Sequence, residues 1–142
     1  MDKPRVQAIS KILSANDTGE TKAHQAGILV PKNKEILSFF PDLGCEEKNP
    51  RTVLVFEDTS GEFWSFNFIY YNGKLFGGTR NEYRLTGMTA FIKRNNLKTG
   101  DKIFFHRLSD EKLLVKHQRM SEISASTSTV LKLGSNWKVV NI

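Results

Sequence analysis

Arg80, Glu82 and Arg84 stand two residues apart. In an extended chain that spacing puts all three side chains on one face. In the DNA major groove an arginine pairs bidentately with the guanine edge, and a carboxylate accepts from the cytosine amino group. Such a row could therefore read a G·C-rich step, or it could be a surface ion-pair cluster of little energetic weight. The three residues lie in a polar segment, 72–84, that mixes glycine, amides, hydroxyls and charge; a second segment of this kind, 14–25, contains His24. Functional loops are commonly built this way. Lys22, Lys74, Lys93 and Arg94 are suited to holding phosphates, which gives affinity without sequence information.

Other chemistries find little support. There is no GxxxxGK[ST] loop for nucleotide phosphates and no GxSxG nucleophile elbow. One cysteine, Cys45, and three separated histidines, His24, His106 and His117, give no metal-ligand spacing. Pro41-Asp42 followed by Glu46-Glu47-Lys48 has the wording of a magnesium-dependent nuclease centre. The separation is too short, however, and the acid-x-Lys falls among Gly44, Cys45, Asn49 and Pro50, where no rigid element would hold its carboxylates on a metal. The expectation is a chain without catalytic residues, metal or cofactor of its own.

The net charge of the 142 residues is +6, unevenly spread. Residues 41–70 carry two cations against six anions, and residues 71–100 carry six cations against one. That polarity suggests one face turned to an anion and another to water. A composition 39% hydrophobic and 25% charged is that of a soluble globular domain. The lone cysteine, the lack of a secretory leader and the lack of any membrane-length apolar run lead us to expect a cytoplasmic protein.

The elements that must position these residues read mostly as strands. Residues 52–57 (TVLVFE) and 63–70, separated by Asp58-Thr59-Ser60-Gly61, predict a hairpin. In its second strand Trp64, Phe66, Phe68 and Tyr70 share a face. Bases could stack on that stripe if it were exposed, but at strand spacing it is expected to be core. Residues 102–108 with 112–116, and 130–133 with 137–140, predict two more hairpins, and 27–30 is a short apolar run stopped by Pro31. Residues 33–40 and 89–96 predict short helices. Residues 6–13 fit either period. Many short strands with two helices point to a closed or nearly closed barrel.

At both polar segments the sequence resembles the N-terminal effector-binding domain of EcoRII-type restriction endonucleases, a relative of plant B3 transcription-factor domains. The resemblance rests on SANDTG (14–19) with His24-Gln25 and Gly27, and on Tyr70-Tyr71-Asn72, Phe76-Gly77 and Thr79-Arg80-Asn81-Glu82 with Arg84 and Thr86. Residues 91–107 (FIKRNNLKTGDKIFFHR) look like the helix–turn–strand passage of plant B3 domains. The likeness implies a mainly β, seven-stranded B3-like pseudobarrel with two short helices, in which 6–13 is a strand. It also implies that 14–25 and 72–84 are arms that clamp the major groove. Asn16, Asp17, Thr18, Lys22, His24, Gln25, Arg80, Asn81, Glu82 and Arg84 would then read bases. Ser14, Lys74, Thr79, Tyr83, Lys93 and Arg94 would contact the DNA backbone. Gly78 and Tyr83 stand where the family carries basic residues.

The expectation is one domain over 1–142, with 119–142 as an additional C-terminal segment. Its function would be sequence-specific recognition of double-stranded DNA for a type II restriction endonuclease of the bacterial cytoplasm, as a monomer on DNA. Magnesium would serve only a nuclease domain elsewhere in the parent protein. The alternatives are a stand-alone B3-like regulator and a non-specific single-strand binder.

Overall fold

A computed structural model describes residues 6–20, 27–122 and 136–140. Eight strands form one sheet: β1 (Ala8–Ile12), β2 (Ile28–Val30), β3 (Arg51–Glu57), β4 (Phe63–Tyr71), β5 (Glu82–Thr86), β6 (Lys102–Arg107), β7 (Leu113–Gln118) and β8 (Trp137–Val139). Three helices accompany them: α1 (Ala15–Thr18), α2 (Lys34–Leu37) and α3 (Thr89–Arg94). The strand order is β2-β5-β4-β3-β7-β6-β1-β8, antiparallel except for the short parallel pairing of β3 with β7. The strand count is one more than seven because Trp137, whose ring is buried against Phe105, brings β8 onto β1. The partner expected for it at 130–133 lies outside the described residues.

Curling brings the two edge strands together. The Trp137 indole N–H of β8 donates to the Leu29 carbonyl of β2 at 2.9 Å, a side-chain seam between strands that share no ladder. The β3–β4 and β6–β7 hairpins form as the turn chemistry predicted. The aromatic stripe of β4 points inward: Phe66 and Phe68 are fully buried, Phe40 stacks on Phe68 at 4.3 Å, and Trp64 meets Phe91 edge-on at 5.3 Å. No stacking platform for bases exists on that stripe. Trp64 also donates its indole N–H to Asp58 at the hairpin turn.

The helices cover opposite ends of β4, with α2 and the phenylalanines after it near Phe68, and α3 near Trp64. Burying these rings supplies much of the barrel's stability. It also leaves the strand ends as roots for two loops. The loop after β4 leaves at the Tyr71 end; the loop after β1 ends where β2 starts, beside the far end of β5.

Candidate nucleic-acid interface

The first arm begins with one turn of helix that the polar composition did not suggest. Ser14 caps α1: its Oγ accepts from the Asp17 N–H at 3.2 Å, and the Asp17 carboxylate accepts from the Ser14 N–H at 2.9 Å. This reciprocal box satisfies two backbone donors at once, and Gly19, at φ 84, ends the turn. The Asp17 carboxylate is almost fully buried and pairs with the Lys11 ammonium at 3.3 Å. Asp17 therefore serves as a strut of the arm through one carboxylate oxygen, at the side of the open cleft that Asn16 and Thr18 also line. Thr18 is likewise engaged, donating to Glu20.

Glu20 was not among the expected residues, yet it braces the arm. Its carboxylate accepts from Thr18 and from both the hydroxyl and the N–H of Thr99, the latter at 2.7 Å, tying the arm to the loop after α3. The Thr18 hydroxyl, then the Thr99 donors, hold its pKa at about 2. Asn16 is the exposed side chain of the turn. Lys22, His24 and Gln25 lie outside the described residues.

The second arm is pinned at its root by Asn72, which is fully buried. Asn72 accepts from the Asn49 N–H at 2.7 Å and donates to the Glu47 carbonyl at 2.8 Å. Beyond it, Gly73–Phe76 forms a 3₁₀ turn closed by Gly77 at φ 86. The Lys74 N–H donates to the Arg80 carbonyl at 2.8 Å, and the Gly78 N–H to Gly73 at 2.7 Å. A side chain at Gly78 would come within 3.1 Å of the Gly73 carbonyl, so the glycine serves this tight packing. Lys74 and Thr79 are exposed.

Arg80, Glu82 and Arg84 do share the outer face. The Arg80 guanidinium lies 3.9 Å above the Tyr71 ring and donates to Glu82 at 3.1 Å. Arg84 donates to the same carboxylate and, at 3.1 Å, to the Gly27 carbonyl just before β2. The Arg84 hydrogen bond, followed by that of Arg80, holds the Glu82 pKa below its ordinary value against the desolvation that raises it. Half of the Arg80 side chain remains open to solvent, compared with about a fifth of Arg84. Arg80 is thus the presented arginine, and Arg84 ties β5 to the chain entering β2. Asn81 accepts from the Tyr70 hydroxyl at 2.9 Å, leaving its amide donors available.

Two of the expected backbone contacts are engaged within the protein. Tyr83 points to the inner face, as strand alternation demands once Glu82 and Arg84 point out, and its ring stacks on Tyr70 at 4.3 Å and on Phe68 at 5.6 Å. Arg94 pairs with Glu62 at 2.5 Å, at the β3–β4 turn. Lys93, by contrast, lines an open cleft of about 460 Å³ with Asn16, Thr18, Gly27 and Thr86, between α1 and the β5–α3 loop. Gly27 has no room for a side chain there: a Cβ would sit 2.4 Å from the Leu85 carbonyl.

The outer face of β5 therefore runs from one arm to the other. Arg80, Glu82, Arg84 and Thr86 follow each other along it, six residue rises or roughly 20 Å at about 3.3 Å each. Among the described residues no group of three or more His, Cys, Asp or Glu could hold a metal ion. Asp42 accepts from the Gly44 N–H in an exposed turn. No helix among the described residues is long and apolar enough to cross a membrane.

Comparison with known proteins places these features. Residues 3–109 match the family described as restriction endonuclease EcoRII, N-terminal. The chain is 40% identical over 79 residues to the type II restriction enzyme EcoRII of Escherichia coli, covering 54% of this chain and 19% of the enzyme. It is 33% identical over 120 residues to the B3 domain-containing transcription factor VAL3 of Arabidopsis thaliana, covering 82% of this chain and 14% of that protein. The chain thus spans less than a fifth of the length of either relative. Among solved structures, the Arabidopsis FUS3–DNA complex aligns with a TM-score of 0.59 and 21% identity, covering 78% of this chain and 94% of that one. The B3 domain of the UbaLAI restriction endonuclease with cognate DNA aligns with a TM-score of 0.50 and 24% identity, covering 79% and 65%. These two likenesses concern the fold, which is the expected B3-like pseudobarrel.

Proposed function

The chain belongs to the family of EcoRII restriction-endonuclease N-terminal domains, and from that premise we propose that it recognises a short, G·C-rich site in double-stranded DNA. The observation that carries the reading is the Arg80 guanidinium, stacked on Tyr71 and hydrogen-bonded to Glu82 while half exposed. A guanidinium held in plane by a ring and a carboxylate has lost its rotational freedom before it meets a base. Its bidentate pairing with guanine then costs less ordering entropy.

The major groove is about 12 Å wide, and a duplex laid across the outer face of β5 would meet one arm at each end of that strand. Arg80, Asn81 and Asn16 present groups that can reach base edges, and Glu82 can share its carboxylate with a cytosine amino group. Arg84 holds Glu82 in place for this. Lys22, His24 and Gln25 complete the first arm's readers. Lys74, Thr79 and Lys93, with the Ser14 region, hold phosphates, and Asp17 and Thr18 act by shaping the arm.

In this reading the chain carries no bond-breaking chemistry, and a magnesium-dependent nuclease domain elsewhere in the parent protein acts on what it recognises. It binds as a monomer, in the bacterial cytoplasm, where an exposed free thiol such as that of Cys45 is kept reduced. Selecting bound duplexes from a random library at near-physiological salt tests the proposal. Recovery of one short motif containing G·C pairs is the expected result. Recovery of no motif would overturn it.

A further inference from the structure

The other half of the sheet offers a second surface, remote from β5. On β6 and β7, Lys102, Phe104 and His106 stand opposite Gln118, Lys116 and Leu114 and face outward, while Ile103, Phe105 and Arg107 are buried. Phe104 is partly buried, with the Lys102 and Lys116 ammoniums 5.6 and 5.7 Å from its ring centroid. An open groove of about 410 Å³ runs here, lined by Phe104, His106, Lys116 and Gln118, with Ala8 and Val140 at its side.

The strands that form this groove carry charge of one sign. None of β1, β6, β7 and β8 contains an aspartate or glutamate, and Lys102, Lys116 and Lys138 lie on them at or near the surface. By contrast, β3 and β5 each carry a glutamate. An aromatic face flanked by mobile cations with no acid among them suits a ligand that offers both a flat π-surface and phosphates. A duplex keeps its base faces stacked inside the helix and offers only edges and backbone, so Phe104 would have nothing to stack on. An unpaired strand offers both groups.

We propose that this groove binds a short stretch of single-stranded DNA. One base stacks on Phe104, and Lys102 and Lys116 swing from the ring to the phosphates on either side. Lys102, two residues before Phe104 on β6, pairs with Ile12 at the root of the first arm, so a strand leaving DNA held by the arms could pass Lys102 to reach the groove. The proposal does not depend on the arms reading bases.

Anisotropy of a labelled ten-nucleotide oligothymidylate tests it across a salt series. The expected result is binding that Arg80→Ala leaves unchanged and that Phe104→Leu weakens about tenfold. Lys116→Ala should lower the slope of log affinity against log salt by about 0.7. Duplex binding by Phe104→Leu, unchanged from wild type, reports an intact fold; if it falls as well, the Lys116→Ala slope decides. The proposal is overturned if the wild-type chain does not bind the oligonucleotide, or if Phe104→Leu with an intact fold binds it as wild type does. An unchanged Lys116→Ala slope, loss of binding in Arg80→Ala, or tighter binding of the matching oligouridylate would also overturn it.

Discussion

The two arms solve the same problem by opposite means. The first uses its polar side chains on itself: Ser14 and Asp17 cap each other, Asp17 neutralises Lys11, and Thr18 and Glu20 fasten the turn to Thr99. The second puts its fastening into the root, through Asn72, and spends its outer row on one arginine held ready over a tyrosine. Polar composition therefore says that a loop has work to do, but not whether that work is shaping or contact. A side chain whose hydrogen bonds are all internal shapes, and one fixed on a single side and open on the other makes contact.

The contrast breaks most readily at Asp17. Replacing it with alanine removes half of the capping box and strands Lys11 in a nearly buried position, a loss on the order of 3 kcal/mol of stability. A urea midpoint should fall accordingly, with base preference in whatever DNA binding remains left as in wild type. An unmoved midpoint would show that the first arm is not self-supporting.

Arg80→Ala should do the reverse. Preference at one base pair should flatten by ~1–3 kcal/mol, while the loss of its exposed ion pair costs less than about 1 kcal/mol of stability. Competition among duplexes differing at single positions measures the first, and a denaturant midpoint the second. Arg80→Lys should not restore the preference in full, since an ammonium lacks the planar fork that stacks on Tyr71 and fits the guanine edge. Tyr71→Leu should give a weaker form of the same defect. Equal loss across all sequences would make Arg80 a phosphate contact and erase the distinction between the arms.

The smallest effect concerns protons. Both Glu82 and Glu20 have depressed pKa values, so the stability each contributes is complete above its ordinary value of 4.5 and disappears only as pH falls through the folded value. Neither carboxylate link should respond between pH 8 and 5. Carboxyl-carbon titration by NMR should place the Glu20 midpoint near 2 and that of Glu82 below 4.5. An ordinary midpoint at Glu20 would mean that its link to Thr99 does not persist in solution.

Much of this was legible in the residues. Alternation put Trp64, Phe66, Phe68 and Tyr70 on one buried face, and it put Arg80, Glu82 and Arg84 together on the other. The same rule, applied to Tyr83, would have turned its ring inward. The α1 turn also left a trace, Ser14-x-x-Asp17 followed by Gly19, a capping box with a left-handed stop. What local pattern could not supply were partners distant in sequence. Glu20 meets Thr99 across 79 positions, Arg84 meets the Gly27 carbonyl across 57, and Asn72 meets Glu47 across 25. Each sits beside a pair of neighbouring strands, β1 with β6, β2 with β5 and β3 with β4, and only the Trp137 seam depends on closure of the sheet.

That closure gives the last strand an importance out of proportion to its length. The family match ends at residue 109, yet the seam between β8 and β2 is made by Trp137. A fragment trimmed after β7 would leave β1 with a bare hydrogen-bonding edge and Leu29 with no donor across the gap. Exposed strand edges of that kind recruit other chains. The boundary for producing this domain is therefore set by one indole rather than by the extent of sequence similarity, and a shortened version should be found in the aggregate.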